Sequence, residues 1–424
     1  MLNPIFLGGD PMEDEDLIVG LDIGTTKIVV LVGNVTGDTI EIVGIGQAPS
    51  RGLEKGVVVD IGQTTNSIRK AVRKAEKMAD VRVDSVYAGI AGKHIDSINN
   101  SGTVSINRAD GVIRRDDVQR VIETAKAIQQ IPPESEMIHI IPRQFIVDGQ
   151  EGITDPIGMT GTRLEADVHI VTGASTAVHN IVRCLDSLDI DIDQIVLEPL
   201  ASSEAVLSSA EKELGVVLMD IGGGTTDLAV FRNGDIWFSK VLPVAGEHIT
   251  NDITVGLQTP LEAAEEIKIQ AGTPLVDEVG EDETVEVATV GGDQRKRVSR
   301  KKLAKVIEPR VEEVFDLAIQ EVEDAGYRDL VPSGVVLTGG TALLKGLVEF
   351  ANRRYGLPVR RGKNPQGVHG LRDVIESPIY ATSVGLLKYA VSSHDYLRNG
   401  RKNERGRHSM VTKLFQWLSK FFRG

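Results

Sequence analysis

Two stretches of this chain repeat one another 198 positions apart. "LIVGLDIGTTKIVVLVGNV" (17–35) and "GVVLMDIGGGTTDLAVFRNG" (215–234) each run through an apolar segment, Asp-Ile-Gly, Thr-Thr and a second apolar segment. β-rich apolar runs parted by Gly and Thr form hairpins within a sheet. Self-similarity at this distance predicts an internal duplication, each copy one nucleotide-binding half. A third stretch, "GVVLTGGTALLKG" (334–346), adds a strand, a Gly-Gly turn and a helix start. The chain has 424 residues, more than one core usually supports. The expectation is two α/β halves, each carrying an insertion.

The segments between the repeats divide as follows. A helix is predicted over about 64–79 and another around 179–188. From Asp84 to about Glu165 the pattern is mixed: "VYAGIAGKHIDSINNSGTVSI" and "IHIIPRQFIVDG" are strand-like and "RDDVQRVIETAKAI" is helical, which predicts an inserted subdomain. Residues 248–329 are helical and charged. Within them Pro309 lacks a backbone donor and crowds the preceding turn, which predicts a kink or two helices. Residues 392–408, "SSHDYLRNGRKNERGRH", are nearly devoid of apolar side chains and read as a flexible linker.

The repeated hairpins carry the chemistry. Glycines and small hydroxyl residues at a hairpin tip let backbone N–H groups approach phosphate oxygens, and Thr25, Thr26 and Lys27 add side-chain donors. Asp22 would repel a bare triphosphate, so its expected task is to hold the water shell of Mg²⁺. Alone, this stretch reads equally well as a glycine turn. The second copy supplies Asp220, Gly222, Gly223, Gly224, Thr225 and Thr226, so two hairpins with two acids can close on one nucleotide. Gly339 and Gly340 lie where a helix N-terminus favours anions and missing side chains leave room for a base and ribose. No GxxxxGK[ST] pattern occurs, which excludes a P-loop protein.

Charge and aromatic content set the ending apart. The net charge is −14, which argues against nucleic-acid binding, yet residues 392–424 carry eight Lys/Arg against two acids. Four of the seventeen aromatics fall in the last ten residues. At about 100° per residue, Val411, Leu414, Phe415, Trp417, Leu418, Phe421 and Phe422, with Met410, share an arc of roughly 160°. Lys413, Lys420 and Arg423 lie opposite, the pattern of a helix resting in a membrane interface. Packing on the chain's own core or a partner is the alternative. The single cysteine, Cys184, forms no internal disulfide, and no run is apolar enough for a spanning helix, so a cytoplasmic location is expected.

On these residues the chain resembles the actin/Hsp70/sugar-kinase superfamily. "GLDIGTTK" is similar to its first phosphate motif, "LEPLASSEAVL" (197–207) to its first connecting helix and "MDIGGGTTD" to its second phosphate motif. "VVLTGGTALLKG" is similar to its adenosine motif, and "YATSVGLLKYA" (380–390) to its second connecting helix. Within the superfamily the likeness runs to the FtsA-like bacterial cell-division family, from Leu17 onward. It implies an actin-like two-domain α/β fold of duplicated RNase H-like halves, with an inserted subdomain and a C-terminal amphipathic helix. It further implies ATP with Mg²⁺ held by Asp22 and Asp220, and phosphates held by Gly24, Thr25, Thr26, Lys27, Gly222, Gly223, Gly224 and Thr225. Glu265 and Lys268 would contact ribose and adenine, with Gly339 and Gly340 on the adenosine. Glu198 sits where hydrolytic relatives place the acid that orients water; an acidic helix cap is the equal alternative, and hydrolysis stays open.

The same resemblance implies partners: the FtsZ C-terminal tail, further copies of the chain in a filament, an anionic membrane and later division proteins. Arg300, Lys301 and Arg310, around the basic "RKRVSRKK" (295–302), are expected tail contacts, with a solvated helix face as the alternative. The implied division is a disordered leader (1–16), a first core subdomain (17–83 and 166–198) and an inserted subdomain (84–165). A second core subdomain (199–247 and 330–391), its insertion (248–329), the linker (392–408) and the membrane helix (409–424) complete it. Location would be the inner face of the membrane at the septum. An MreB-like shape filament or a pilus-assembly scaffold is the alternative on core motifs alone.

Overall fold

The computed structural model describes residues 17–37, 39–128, 131–289, 295–363 and 367–402. Two sheets carry the architecture. In the first, the strands run in the order Asp191–Leu197, Ser85–Ile90, Leu17–Ile23, Lys27–Thr36, Thr39–Pro49, with the short Val368–Gly370 on the outer edge. In the second, the order is Val359–Arg361, Val335–Thr338, Val216–Ile221, Thr226–Arg232, Asp235–Leu242. Setting aside the edge strand, the orders are the same: an antiparallel three-strand meander continued by two parallel strands. The expected duplication is present in the topology.

Local sequence accounts for the elements. Strand Leu17–Ile23 is buried from Val19 onward, as a central strand covered on both faces requires. Asp60 opens the helix Ile61–Ala79 by accepting from the Gln63 N–H at 2.9 Å, and Asp80 closes it in the left-handed region at φ 55. That helix lies on strand Thr39–Pro49 at its glycines: a Cβ on Gly46 would stand 1.8 Å from the Ala71 carbonyl oxygen.

The inserted unit is a four-stranded sheet, Ile95–Ser105, Arg163–Ala174, Ser135–Val147, Gln150–Ile153, with the helix Arg115–Ile128 on one face. It buries its own core, in which Ile113, Leu164, Val168 and Ile170 are closed to solvent. Its boundaries differ from the expected 84–165. Strand Ser85–Ile90 pairs in parallel with the first hairpin and belongs to the first core sheet. At the other end, the ladder from Arg163 to Gly173 pairs with Ile95–Ser105, so the insertion extends to Ala174. The sequence pattern is strand-like on both sides of Ala91–His94 and does not reveal that the chain changes sheet there.

Three further expectations are corrected. Pro309 neither splits nor ends its helix, which runs unbroken over Arg300–Asp324. Pro309 faces solvent, where water can take the carbonyl it leaves without a partner, while Leu303, Ile307, Val311, Phe315 and Val322 bury the opposite stripe. Interior proline costs about 3 kcal/mol, and one such stripe, at about 1.5–3 kcal/mol per buried side chain, offsets it. Secondly, the helix Ala381–Lys402 continues through the first eleven residues of the expected linker. A helix already nucleated by its buried first half propagates through polar residues that contain no proline. Thirdly, Gly340 opens a short 3₁₀ turn, Gly340–Leu343, and the helix Leu347–Tyr355 begins later. The leader 1–16, residues 403–408 and the expected membrane helix lie outside the described residues.

Candidate functional site

The two hairpin tips meet. A Cβ on Gly223 would stand 2.2 Å from Thr26 Cγ2, and one on Gly224 2.8 Å from the Thr25 side chain. Only glycine allows this approach. Thr25 Oγ1 accepts from the Gly56 N–H at 3.2 Å, tying the first tip to the loop behind it. The second tip is held from its own side: Gly246 N–H and Thr341 Oγ1 both donate to the Gly222 carbonyl, at 3.1 and 3.0 Å, and Glu247 N–H donates to that of Gly223 at 2.8 Å.

Beneath the tips four carboxyl groups lie within electrostatic reach of one another: Asp22, Asp220 and Asp227, all buried, and the partly buried Glu198. Burial pushes Asp22 up to about 6, opposed by Lys27 and assisted by Asp220. Glu198 and Asp227 stand well above the carboxylate range, first from burial and then from the neighbouring acids. Asp220 is also raised by burial, although the hydroxyls of Ser202 (2.7 Å) and Thr382 (3.3 Å) donate to it. Among the described residues Lys27 is the one cation that acts on Asp22 and Asp220, and burial lowers its own pKa. Its Nζ donates to the Ile379 carbonyl at 2.9 Å and lies over the Tyr380 ring.

Of the residues expected on the adenosine, Lys268 and Glu265 pair directly. Lys268, buried, donates to Glu265 (2.6 Å), Thr250 Oγ1 (2.8 Å) and the Gly246 carbonyl (3.0 Å). Gly339, at φ 83, abuts the Asp220 carboxylate: its missing Cβ would fall 2.4 Å from Oδ1. A Cβ on Gly340 would meet nothing within 4 Å among the described residues.

One expected phosphate donor is not available. Thr226 is fully buried and its hydroxyl donates to the Val244 carbonyl at 2.7 Å, bracing the hairpin base. The strand alternation turns Thr225 and Asp227 to one side and Thr226 to the other. Glu198 is the first residue of the helix Glu198–Val206, as a cap would be, and it is partly buried, within electrostatic reach of Asp22, Asp227 and Asp220.

Sequence reasoning passed over Asp227, Ser202, Thr382 and Ser383. Asp227 lies inside the quoted "MDIGGGTTD", and a buried strand beginning Thr-Asp was its signal. The three hydroxyls sit on the two connecting helices; Ser383 Oγ donates to Asp22 at 3.2 Å. Nothing local marks them, because their role depends on where the two helices cross.

Arg300, Lys301 and Arg310 share the helix Arg300–Asp324, but at about 100° per residue Lys301 and Arg310 face opposite ways, and each of the three is already paired within the chain. Arg300 meets Glu283 at 2.6 Å, Lys301 meets Glu281, and Arg310 meets Asp252 at 2.6 Å and Glu313. Lys302 and Lys305 are exposed, with no carboxylate within 4.0 Å among the described residues.

Comparison with known proteins agrees with this geometry. Residues 217–385 match the family model "Cell division protein FtsA", and residues 92–172 that of the "SHS2 domain inserted in FTSA". The cell division protein FtsA of Pseudomonas aeruginosa is 48% identical over 376 residues, covering 88% of this chain and 89% of that one. FtsA of Escherichia coli K12 is 39% identical over 422 residues, covering 96% and 99%. FtsA of Bacillus subtilis is 42% identical over 379 residues, covering 89% and 84%. Among solved structures, the PilM–PilN type IV pilus biogenesis complex aligns with a TM-score of 0.64 at 17% identity, covering 88% of this chain and 98% of that one. MreB5 of Spiroplasma citri bound to ADP aligns with a TM-score of 0.53 at 15% identity, covering 92% and 100%. At such identities these two share the actin-like fold and nothing finer, whereas the relatives above are alike along almost their whole length. The chain belongs to the FtsA family of cell division proteins.

Proposed function

We propose that this chain binds ATP with Mg²⁺ between its two hairpins, polymerises, and tethers FtsZ filaments to the inner face of the membrane at the septum while recruiting later division proteins. The observation that carries the nucleotide reading is the meeting of two glycine-rich tips over three buried acids and the partly buried Glu198, with Lys27 beside them. So many carboxyl groups with one cation among the described residues cannot all ionise, and a divalent cation relieves that repulsion. The donor set fits: oxygen ligands alone suit Mg²⁺. Asp227 Oδ1 is buried without a partner. No three acids among the described residues lie close enough to ligate an ion directly, so Asp22 and Asp220 would hold it through its water shell. The ion would offset phosphate charge; the chain's own residues orient the nucleotide. Gly24, Thr25, Thr26, Lys27, Gly222, Gly223, Gly224 and Thr225 would take the phosphates, Glu265 and Lys268 the ribose and adenine edge, and Gly339 and Gly340 the adenosine. Glu198 would orient water if hydrolysis occurs.

For the partners, Arg300, Lys301 and Arg310 would receive the acidic FtsZ tail by exchange with the chain's own carboxylates, Glu283, Glu281, Asp252 and Glu313. Residues 409–424 would lie in the membrane interface through Val411, Leu414, Phe415, Trp417, Leu418, Phe421 and Phe422. Titration of Mg·ATP into Asp220→Ala tests the core of this reading: affinity is expected to fall at least tenfold, and an unchanged affinity would remove the site.

A further inference from the structure

One face of the inserted sheet rests against the strand Asp235–Leu242 of the second half. Ser97 Oγ donates to the Ser239 carbonyl at 2.7 Å and Asn99 Nδ2 to that of Trp237 at 3.0 Å. Beside these bonds the strand Ser135–Val147 is irregular. Val168 pairs with Pro142 and Asp167 with Gln144, which leaves Arg143 as the extra residue of a bulge. Bulges re-aim a side chain. This one carries the Arg143 guanidinium to 4.2 Å from the centroid of the Trp237 ring. Arg232, from the strand next to that of Trp237, approaches the same ring at 5.7 Å.

Two features make this more than an aromatic contact. Neither guanidinium has a carboxylate within 4.0 Å among the described residues, although nineteen other ion pairs form there and the chain carries a net charge of −14. In addition, Arg143 Nε and Trp237 Nε1 are both closed to solvent with no acceptor. An orphaned buried donor costs about 1–3 kcal/mol, and here two coincide beside two unneutralised cations. A planar acceptor of two hydrogen bonds would satisfy them.

We propose that Arg143, Arg232 and Trp237 form a carboxylate site for an acidic peptide at the junction of the inserted subdomain and the second half. The chemistry favours a carboxylate over a phosphate. The donors are side chains on strands, and the glycine turn beside Arg232, Asn233–Gly234, already spends its backbone N–H groups on the Glu213 and Lys212 carbonyls, while a guanidinium over a ring presents its N–H edge to a flat bidentate partner. Arg and Trp are also the side chains that dominate peptide hot spots. Because Arg143 belongs to the insertion and the other two to the second half, an occupant ties the two bodies together. The site is separate from the basic patch at 295–302 and from the hairpin tips.

The test uses the full chain carrying Trp417→Phe, so that Trp237 is its sole tryptophan. Its emission is followed while an Asp/Glu hexapeptide, or inorganic phosphate, is added at constant ionic strength. The expected result is a saturable change with the peptide, weakened at least tenfold in Arg143→Gln and in Arg232→Gln. Mg·ATP binding unchanged in both variants establishes that they fold. No saturable change, equal affinity in the variants, phosphate binding as tightly as the peptide, or loss of the signal in Lys301→Gln instead would each overturn the proposal.

Discussion

Gly385 marks the closest approach in the molecule's centre. A Cβ there would fall 1.8 Å from the Ala201 carbonyl oxygen, so the helices Glu198–Val206 and Ala381–Lys402 cross backbone to backbone. That closeness is what lets Ser202 and Thr382 reach one carboxylate, Asp220, from two helices. Gly385→Val is expected to force the helices apart and lower stability by at least about 2 kcal/mol, read as the urea midpoint. Lost alignment of the Asp220 donors would appear beside it as weaker nucleotide binding. A second residue-scale effect concerns His139. Its Nε2 accepts from the Leu197 N–H at 2.9 Å, so the inserted sheet holds the residue that precedes Glu198. Burial brings His139 down to about 4, and burial with nearby Arg143 brings His169 down to about 3. Both stay neutral in the fold while the unfolded chain protonates them below about 6.5. The unfolded state therefore binds more protons, and stability is lost as pH falls from 6.5 toward 4. His139→Gln is expected to flatten that dependence by up to about 1.4 kcal/mol per pH unit, measured by denaturant titration across the window.

At the scale of elements, the helix Arg300–Asp324 combines packing and display. Its apolar stripe fixes it on the second core, and its basic first turn is held by acids from neighbouring segments. Pairs of this kind, screened by solvent, contribute little, so an incoming acidic tail can replace them. Charge reversal at Arg300 and Lys301 together with Arg310→Gln is expected to weaken binding of an FtsZ-tail peptide at least tenfold in a polarisation assay. The neutral change at Arg310 avoids setting a new acid beside Asp252. Undiminished affinity would show that the patch is a solvated face. Lys302→Glu with Lys305→Glu asks the same of the two cations that have no internal partner.

Across the whole molecule, the two halves meet at their hairpin tips and at the crossing of the connecting helices, and the inserted sheet bridges both. The last described helix runs on to Lys402, toward the basic and aromatic ending. Removing residues 409–424 is expected to abolish sedimentation with anionic liposomes while leaving Mg·ATP affinity unchanged. Basic residues near an anionic surface contribute about 1 kcal/mol each, so binding of the intact chain should also fall steeply with salt. A truncated chain that still sediments would defeat the tether.

What the sequence determined by itself is local and periodic: the repeated Asp-Ile-Gly hairpins, their duplication, the acids at Asp22 and Asp220, and the angular sorting of the last sixteen residues. These follow from strand alternation, glycine's freedom and helical pitch, each of which acts over a few residues. Only the tertiary structure decided that Ser85–Ile90 joins the first core sheet, that Thr226 turns inward, and that Pro309 is absorbed by its helix. It also decided that Ser202, Thr382 and Ser383 converge on the acids, and His139 on the Leu197 backbone, from segments far apart in the chain. Contacts between such segments depend on how two bodies are placed, and no local pattern encodes that placement.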